Sequence, residues 1–238
     1  MPTSFDFRDK VVLVTGVARV GQIGHAVAEA FGSAGASLIV ADRNAVAVAE
    51  RVREFSAKGW PAKPAAGDLT APDIAALAVE NAIKHFGRLD VLVNVAGGLT
   101  TYGPVDRSTP EDFDREMAIN VKTALLMSQA ALKALIDSRG CIVNFASAAV
   151  AAPAPQLVIY TAAKAAVAGL TGALAAEVQP HGVRVNAIAP AMVRTAENVA
   201  QAGESARYVE MHDITNAVLF LASDAASAIT GRILPVGG

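Results

Sequence analysis

Short apolar runs alternate with helical repeats of apolar residues along the whole chain. The runs are rich in β-branched residues and have almost no polar positions, which is typical of strands buried on both faces of a parallel sheet. Seven strands are predicted, at residues 10–15, 37–41, 62–66, 89–94, 141–145, 183–189 and 232–236. The third is the weakest of these predictions, because two prolines lie in or beside it.

Between the strands, apolar residues recur at a spacing of three and four, which predicts amphipathic helices. The helices are predicted from residue 23 to a stop at Gly35 and at 45–57, 73–86, 111–136, 156–178 and 214–222. The fourth follows Thr109 and Pro110, a capping residue and a proline that favour a helix start. Regular alternation of strand and helix predicts an α/β domain with a doubly wound, seven-stranded parallel sheet and helices on both faces. No linker divides residues 1–238, so we expect a single domain.

Composition excludes several classes of function. The chain has 238 residues, 53% of them apolar, a mean hydropathy of +0.40 and a net charge of -2. These values favour a globular protein, and the absence of a run of like charges argues against nucleic acid or an anionic membrane as a partner. The sequence has no run of about 18 uninterrupted apolar residues, so no membrane span is predicted. The first ten residues include acidic positions and no apolar core, which argues against a signal peptide.

The single cysteine and the scattered histidines narrow the chemistry further. Cys141 cannot form an internal disulfide, which is consistent with a reducing, cytoplasmic location. The four histidines show no spacing typical of metal ligands, so we expect no metal site.

A glycine-rich loop follows the first strand. Gly16, Gly21 and Gly24 lie between that strand and the first helix, where glycines allow the backbone to approach a pyrophosphate and the helix start offers free amide donors. Asp42 ends the second strand, about twenty residues beyond the loop, where a carboxylate can accept hydrogen bonds from a ribose diol. The pattern predicts a Rossmann-type dinucleotide site.

Tyr160 and Lys164 are set four residues apart in a predicted helix, so their side chains share one face. A nearby ammonium favours the phenolate, so we expect Lys164 to lower the pKa of Tyr160 from its ordinary value of about 10. Ser147 lies thirteen residues earlier, at the end of an apolar strand, where its hydroxyl can hold a carbonyl oxygen against the phenol. By itself, the Tyr-x-x-x-Lys pair is as consistent with a solvated helix face as with a site.

The order and spacing of these motifs resemble the short-chain dehydrogenase/reductase family over essentially the whole chain. The motifs are Thr15-Gly16 with Gly24, Asn94-Val95-Ala96-Gly97, Asn120, Ser147, Tyr160 and Lys164. The resemblance implies an enzyme that transfers a hydride between a nicotinamide and a secondary alcohol or ketone. In it Tyr160 is the general acid/base, Lys164 holds the nicotinamide ribose, Ser147 binds the substrate oxygen, and Asn120 positions a water that connects Lys164 to solvent.

The resemblance also implies a set of cofactor contacts. Asp68 matches the acid beside the adenine, the segment from Asn94 to Gly97 runs along the cofactor, and the stretch from Ala189 to Thr195 closes over the nicotinamide carboxamide. The residues expected at the cofactor are Gly16, Gly21, Ile23, Gly24, Asp42, Arg43, Asp68, Leu69, Asn94, Ala96, Gly97, Tyr160, Lys164, Pro190, Val193 and Thr195. Two of them have structural interpretations as well: Asn94 as a hydrogen bond between strands, and Asp68 as a helix cap.

Several positions depart from the family pattern. The glycine loop is two residues longer than usual, and either Gly21 or Gln22 takes the place of its middle glycine. A loop of this length resembles the divergent enoyl reductases, but the spacing of Tyr160 and Lys164 favours carbonyl chemistry. Ala191 replaces a glycine after Pro190, and the expected substrate lid at about 195–212 is short, so we expect it to be mobile.

The cofactor and the substrate class remain open at this point. Asp42 repels a 2′-phosphate and favours NAD, whereas Arg43 and Arg19 favour NADP because guanidinium groups bind phosphate; NAD is the preferred interpretation. A small-molecule alcohol or ketone is the first expectation for the substrate. The alternatives are a 3-oxoacyl-[acyl-carrier-protein] reductase, which the scarcity of basic residues near 133–184 disfavours, and a non-catalytic sensor or structural subunit that binds a dinucleotide. The two long helices resemble those that pair between subunits in the family, so we expect a homodimer or homotetramer.

Overall fold

The computed structural model describes residues 5–237 and contains the predicted seven-stranded parallel sheet. Its strands are β1 (Val11–Thr15), β2 (Ser37–Asp42), β3 (Ala62–Ala66), β4 (Val91–Asn94), β5 (Cys141–Phe145), β6 (Arg184–Pro190) and β7 (Ile233–Val236). They are ordered β3-β2-β1-β4-β5-β6-β7, with every neighbouring pair parallel. The prediction of a doubly wound α/β fold is therefore confirmed.

The strands are connected by helices on the two faces of the sheet. The helices are α1 (Ile23–Ser33), α2 (Ala45–Ala57), α3 (Pro72–Phe86), α4 (Pro110–Met117), α5 (Thr123–Ser138), α6 (Val158–Val178), α7 (Ala196–Ala202) and α8 (Met211–Ala222). Successive residues of a strand point to opposite faces. Val12 and Val14 accordingly pack with α1 and α8, whereas Val11 and Leu13 pack with α3 and α5. Two apolar cores result, one on each face.

The structure differs from the sequence-based prediction in three of its helical segments. The helix predicted at 111–136 is interrupted by a π-helical turn, Ala118–Lys122, between α4 and α5. The helix predicted from residue 156 begins at Val158. A short additional helix, α7, lies in the segment predicted to be a lid.

The weakest strand prediction, β3, is confirmed at the edge of the sheet. It pairs with β2 alone, and Pro64 is exposed. Proline cannot donate to a neighbouring strand, so an edge strand is the position that tolerates it.

Helix α6 with the turn that follows it, Val158–His181, is long and apolar enough by length and composition to cross a membrane. It packs instead against β6, and its buried polar residues Lys164 and Thr171 face the sheet. These contacts are those of a core helix in an α/β fold. Its other face, described below with the proposed assembly, is exposed.

The strand order reverses at β1, which has β2 on one side and β4 on the other. The connections from these two neighbours go to opposite faces of the sheet, so a crevice opens at the carboxyl ends of β1 and β4. All the motifs singled out from the sequence lie at or near this end of the sheet.

Candidate active site

The loop between β1 and α1 is built on close approaches between backbone atoms. A Cβ added at Gly24 would lie 2.1 Å from the carbonyl oxygen of Gly16, so no side chain fits where the helix meets the strand. Gly16 and Gly21 both have positive φ, 75° and 74°, a conformation that glycine adopts without steric cost. Space is open around Gly21. Gly21 thus makes the turn, while Gln22 is the N-cap residue of α1.

The N-terminus of α1 fits an anion. No side chain caps it, and its first turn carries no acidic residue. Free amide donors and the helix dipole at such an end attract a phosphate. Together with the side-chain-free surface of Gly16 and Gly24, these features fit the pyrophosphate of a dinucleotide, with Ile23 as the first residue of the helix.

Asp42 lies at the end of β2 beside this loop. Its Oδ2 accepts a hydrogen bond from the Ala18 amide at 3.1 Å, and its Oδ1 accepts one from the Asn44 amide at 3.1 Å. The carboxylate therefore also fixes the shape of the glycine loop, which sequence reasoning did not predict. Arg19, interpreted above as a candidate phosphate ligand, instead pairs with Glu197 on α7 at 3.0 Å.

The segment after β4 is attached to β1 and to the π-helical turn. The Ala96 amide donates to the Thr15 hydroxyl at 2.9 Å. A Cβ at Gly97 would lie 2.5 Å from Oδ1 of Asn120, so only glycine fits there. The backbone of this segment thus lies between the end of β1 and the π-helical turn.

Asn94, predicted at the cofactor, has its side chain inside the protein. Its Nδ2 donates to Oδ1 of Asn144 at 2.9 Å and to the Ser128 hydroxyl at 3.3 Å, and Asn144 in turn donates to the Thr171 hydroxyl at 3.0 Å. The structural interpretation of Asn94 therefore applies to its side chain. The backbone of Ala96 and Gly97 stays predicted to contact a cofactor, as the resemblance implied.

Tyr160, Ser147 and Lys164 lie together at the carboxyl end of β5. The Ser147 hydroxyl lies close enough to Tyr160 to lower the pKa of its phenol, and it accepts a hydrogen bond from the Ala149 amide at 3.2 Å. Lys164 is buried, donates to the carbonyl oxygen of Phe145 at 2.9 Å, and has its Nζ 5.8 Å from the centre of the Tyr160 ring. Three of the four residues predicted to be catalytic are thus brought together by β5 and the first two turns of α6.

The pKa of Tyr160 departs from the predicted direction. Burial raises it above the ordinary value of a phenol, the Ser147 hydrogen bond lowers it, and Glu116 raises it. The expectation of a lowered pKa is wrong for the chain by itself, because desolvation outweighs the other effects. Burial also lowers the pKa of Lys164 to about 8, with Glu116 opposing the change. Lys164 therefore loses its positive charge at a lower pH than an exposed lysine does.

Asn120 lies in the π-helical turn, a local widening that is frequent at functional sites. Its Nδ2 donates to the carbonyl oxygens of Gly98 and Glu116 at 3.0 and 3.1 Å, and its Oδ1 accepts from the Gly98 amide at 3.0 Å. The side chain is buried and points to the segment after β4. This position follows from the helix interruption, which the sequence pattern did not reveal.

Asp68 and Leu69 follow β3 at the carboxyl end of the sheet. Asp68 is exposed and accepts from the amide and the hydroxyl of Thr70 at 2.9 and 2.8 Å, and these bonds hold its pKa below the ordinary value. The interpretation of Asp68 as a helix cap is wrong, since the N-cap of α3 is Ala71. Arg43 lies close enough to contribute to the lowered pKa of Asp68, while Leu69 is buried.

The stretch after β6 is held against the chain before α8. Val193 and Val209 form a parallel bridge, while Thr195 caps α7 by accepting from the Asn198 amide at 3.2 Å. Pro190 is the last residue of β6. Arg194 pairs with Glu204 and Glu210 at 3.0 and 2.9 Å and lies over the Tyr208 ring. The segment predicted to be a lid therefore has a defined set of contacts with the chain before α8.

One cluster brings together possible metal ligands that are distant in sequence. His25, Glu29 and Glu54 have ligand atoms within 4.8 Å of one another. Lys58, however, lies between the two carboxylates, at 2.5 Å from Glu29 and 3.0 Å from Glu54. The cluster is an ion-pair network that joins α1 to α2.

Sequence reasoning missed one buried group in the site. Glu116 is fully buried in the last turn of α4, and its Oε1 accepts from Nδ2 of Asn120 at 3.2 Å. A charged residue four positions before Asn120 on the same predicted helix was the available signal, since such residues are neighbours on one face.

Comparison with known proteins identifies the family. The family model described as short chain dehydrogenase matches residues 10–205. The chain belongs to the short-chain dehydrogenase family. Two curated relatives cover nearly the full length of both chains. An L-xylulose reductase of Caenorhabditis elegans is 32% identical over 100% of this chain and 98% of its own. A 3-oxoacyl-[acyl-carrier-protein] reductase of Thermotoga maritima is 34% identical over 96% of both.

A solved structure agrees with the fold. It is that of 7α-hydroxysteroid dehydrogenase in complex with NADH and 7-oxoglycochenodeoxycholic acid, with a TM-score of 0.90, 31% identity and coverage of 99% of this chain and 95% of that one. The names of the three proteins point to a sugar, a carrier-bound acyl chain and a bile acid. What they share is oxidoreductase chemistry, so this short-chain dehydrogenase is an oxidoreductase of a family that uses NAD(H) or NADP(H).

Proposed function

We propose that this protein interconverts a secondary alcohol and a ketone with a nicotinamide dinucleotide, with Tyr160 as general acid/base. The observation that carries the proposal is the buried Lys164, bonded to the carbonyl oxygen of Phe145 and 5.8 Å from the centre of the Tyr160 ring, at the end of the strand that leads to Ser147. A loop that fits a pyrophosphate lies at the same end of the sheet. When bound, the nicotinamide supplies or accepts the hydride. The chain's residues position the oxygen of the substrate and move its proton.

Each catalytic residue has a separate task in this proposal. The hydroxyls of Ser147 and Tyr160 hold the substrate oxygen, and Tyr160 gives it a proton in ketone reduction or takes one in alcohol oxidation. Lys164 holds the nicotinamide ribose and stabilises the phenolate by its charge. Asn120, fixed by Gly98 and Glu116, holds the water that connects Lys164 to solvent. Burial raises the pKa of Tyr160, so the protonated phenol that reduces a ketone is the form favoured at neutral pH.

NAD is the proposed cofactor, and NADP is the alternative. Asp42 places a carboxylate at the end of β2, where a free ribose diol is accepted and a 2′-phosphate is repelled. Arg19 is engaged by Glu197 across the crevice, which leaves Arg43 as the basic residue next to Asp42. A carboxylate held by two backbone amides is a fixed feature of the loop, whereas Arg43 is exposed.

The direct test is a screen of sugars, polyols, hydroxy acids, steroid alcohols and their ketones, followed at the absorbance of the reduced nicotinamide with each cofactor in turn. The proposal expects turnover with at least one secondary alcohol or ketone and a higher kcat/KM with NAD. Tight binding of a dinucleotide without turnover of any member of the panel would support the non-catalytic alternative instead.

The carrier-protein reductase is the second candidate, supported by the relative from Thermotoga maritima. Such an enzyme needs basic residues for an acidic carrier. Here Lys133 pairs with Asp137 at 2.7 Å, and the guanidinium of Arg184 donates to the carbonyl oxygens of Leu221, Ala222 and Ser223. Efficient reduction of acetoacetyl-carrier protein relative to a short free ketone would favour this candidate.

We also propose a homo-oligomer, a dimer or tetramer, that pairs through α6. Its outward face consists of small or apolar exposed residues, which are Val158, Ala162, Ala165, Gly169, Ala173 and Ala176. Small residues allow two helices to approach closely, and a face of this kind is costly to leave in water. A monomer by light scattering at micromolar concentration would contradict the proposal.

A further inference from the structure

Glu116 is a fully buried carboxylate at the edge of the proposed catalytic residues. It belongs to the last turn of α4, four residues before Asn120. A buried charge is unfavourable unless hydrogen bonds or an opposite charge compensate the loss of hydration. A residue with this cost, placed beside a catalytic set, needs a compensating arrangement, and its partners show what that arrangement is.

Hydrogen-bond donors from two segments converge on this carboxylate. Its Oε2 accepts from the amides of Thr100 and Thr101 at 3.0 and 3.2 Å and from the Thr100 hydroxyl. Its Oε1 accepts from Nδ2 of Asn120 at 3.2 Å. Glu116 therefore joins the loop after β4 to the π-helical turn, and it orients the Asn120 amide so that Oδ1 faces the Gly98 amide.

The charge of Glu116 also acts on α6, which packs against α4. The titratable residues of α6 are Tyr160, Lys164 and, farther along, Glu177. Glu116 raises the pKa of both Tyr160 and Lys164. The π-helical turn contributes Lys122, which acts on Asp68.

The other charged groups near Glu116 on its own helix belong to the outer face of α4. Arg115 pairs there with Asp112, so neither residue balances Glu116 inside the protein. Lys164 is the buried basic side chain on which the charge of Glu116 acts.

We infer that Glu116 is a positioning residue of the site, which fixes the Asn120 amide and the 98–101 loop and keeps a buried negative charge beside Lys164 and Tyr160. The inference rests on the proposed function. Burial favours the neutral form of Lys164, and the negative charge of Glu116 opposes this effect. It also couples the loop at the mouth of the site to the route by which protons reach Lys164.

The consequence for pH dependence has a definite sign. A negative charge favours the protonated form of both a phenol and an amine, so its removal lowers both pKa values. Alcohol oxidation needs deprotonated Tyr160, so the acid limb of the pH profile of kcat/KM for oxidation should move to lower pH. Ketone reduction needs protonated Tyr160 and charged Lys164, so its basic limb should move to lower pH as well.

The test compares pH profiles of kcat/KM for the wild type and Glu116→Gln in both directions of the reaction. Glutamine keeps the size and can still accept from the Thr100 and Thr101 amides. We expect both limbs to shift down by roughly 0.5 to 1 pH unit, with kcat/KM lowered about tenfold at the optimum. Glu116→Asp keeps the charge, so its limbs should stay within roughly 0.3 unit of the wild type even if its rate falls.

A matched control is Asp90→Asn. Asp90 is also a buried carboxylate, but it lies at the opposite end of β4, where it pairs with Arg88 and Lys10. This variant should lose stability without moving either limb. A reduced rate in Glu116→Gln with unshifted limbs would overturn the inference and leave a purely structural role.

Two further outcomes keep the inference separate from folding and from the proposed function. If Glu116→Gln fails to fold, Thr100→Val is the second variant, because it removes the hydroxyl that donates to Glu116 and keeps the charge. It should raise KM for the substrate several-fold and leave the Kd for the cofactor unchanged. An unchanged KM would overturn the positioning role. Wild-type protein that binds NAD but turns over no alcohol or ketone defeats the proposed function itself. Wild-type turnover with unshifted Glu116→Gln limbs defeats the present inference alone.

Discussion

Lys164 donates a hydrogen bond to the carbonyl oxygen of Phe145 at 2.9 Å, so the base of the catalytic helix is tied to the end of the central strand β5. Ser147 follows Phe145 by two residues, and Tyr160 precedes Lys164 by one helical turn. The same contact therefore fixes the positions of the Ser147 and Tyr160 hydroxyls relative to the end of β5. It also requires a buried ammonium, which is unfavourable for folding.

Lys164→Met should stabilise the protein while abolishing its activity. Burial lowers the pKa of Lys164 to about 8, against about 10.5 in the unfolded chain. Below pH 8 this group therefore opposes folding, and between pH 8 and 10.5 stability should rise with pH, because the unfolded state binds more protons. Relief from burying the ammonium outweighs the unpaired carbonyl of Phe145 and the lost attraction to Glu116, so replacement by methionine should give a net rise of about 1 to 2 kcal/mol in the free energy of unfolding at pH 7. Urea denaturation measures this value, and a loss of stability would contradict it.

Tyr160→Phe should retain the fold and the cofactor affinity and lose turnover. The substitution removes only the phenol hydroxyl, whose pKa the neighbouring Ser147 affects. General acid/base catalysis typically contributes a factor of about 10² to 10⁴, so a loss of at least about 100-fold in kcat is expected. Fluorescence titration with NAD should give a Kd within a few-fold of the wild type. Full activity of the variant would exclude Tyr160 as the acid/base.

Asp42→Asn should shift cofactor preference toward NADP. Asparagine keeps an oxygen for the amide of Ala18 or Asn44, so the loop is largely preserved, while the charge that repels a 2′-phosphate is removed. The ratio of kcat/KM for NADP to that for NAD should rise by about tenfold or more, equivalent to about 1.4 kcal/mol. Equal efficiency of the wild type with both cofactors would remove the basis of this prediction.

The glycine loop allows a matched pair of substitutions. Gly24→Ala would place its Cβ 2.1 Å from the carbonyl oxygen of Gly16, so the helix must move away from the strand. Gly21→Ala meets open space and pays only for its positive φ, about 1 kcal/mol. By calorimetry and NAD titration, Gly24→Ala should lose both stability and cofactor binding. Gly21→Ala should lose much less of either, and equal losses would contradict this account of the loop.

Ala173→Arg should weaken the proposed oligomer. Ala173 is exposed in the middle of the outward face of α6, where a large charged side chain prevents a second helix from approaching. Ala57→Arg, an equally exposed alanine at the end of α2, is the control. Light scattering should show a lower mass for the first variant alone. The same mass for both variants would show that any assembly uses another surface.

The sequence contained most of the fold because each strand is an apolar run and each connection a periodic helix. All seven strands occur in the structure, including β3, where edge placement accommodates Pro64. The π-helical turn at Asn120 could not be predicted, since its residues have the same helical periodicity as their neighbours.

The composition of the site was predicted better than its electrostatics. Ser147, Tyr160 and Lys164 meet as their spacing suggested. The direction predicted for the Tyr160 pKa was wrong because burial and the charge of Glu116, neither of which a linear sequence displays, raise it by more than Ser147 lowers it. The pairing of Arg19 with Glu197 joins residues 178 positions apart and depends on how α7 folds back over the glycine loop.

The amide network around Asn94 has a consequence for how the sheet assembles. Asn94 and Asn144 lie directly opposite each other in the parallel pairing of β4 and β5, and their bond spans 50 residues of sequence. Apolar residues alone would tolerate several alignments of two such strands. A slip by one residue would turn these amides to the wrong faces and leave them without partners in a dry interior. The hydrogen-bonded pair thus stabilises one register of β4 and β5, in which Ser147 lies just beyond the end of β4.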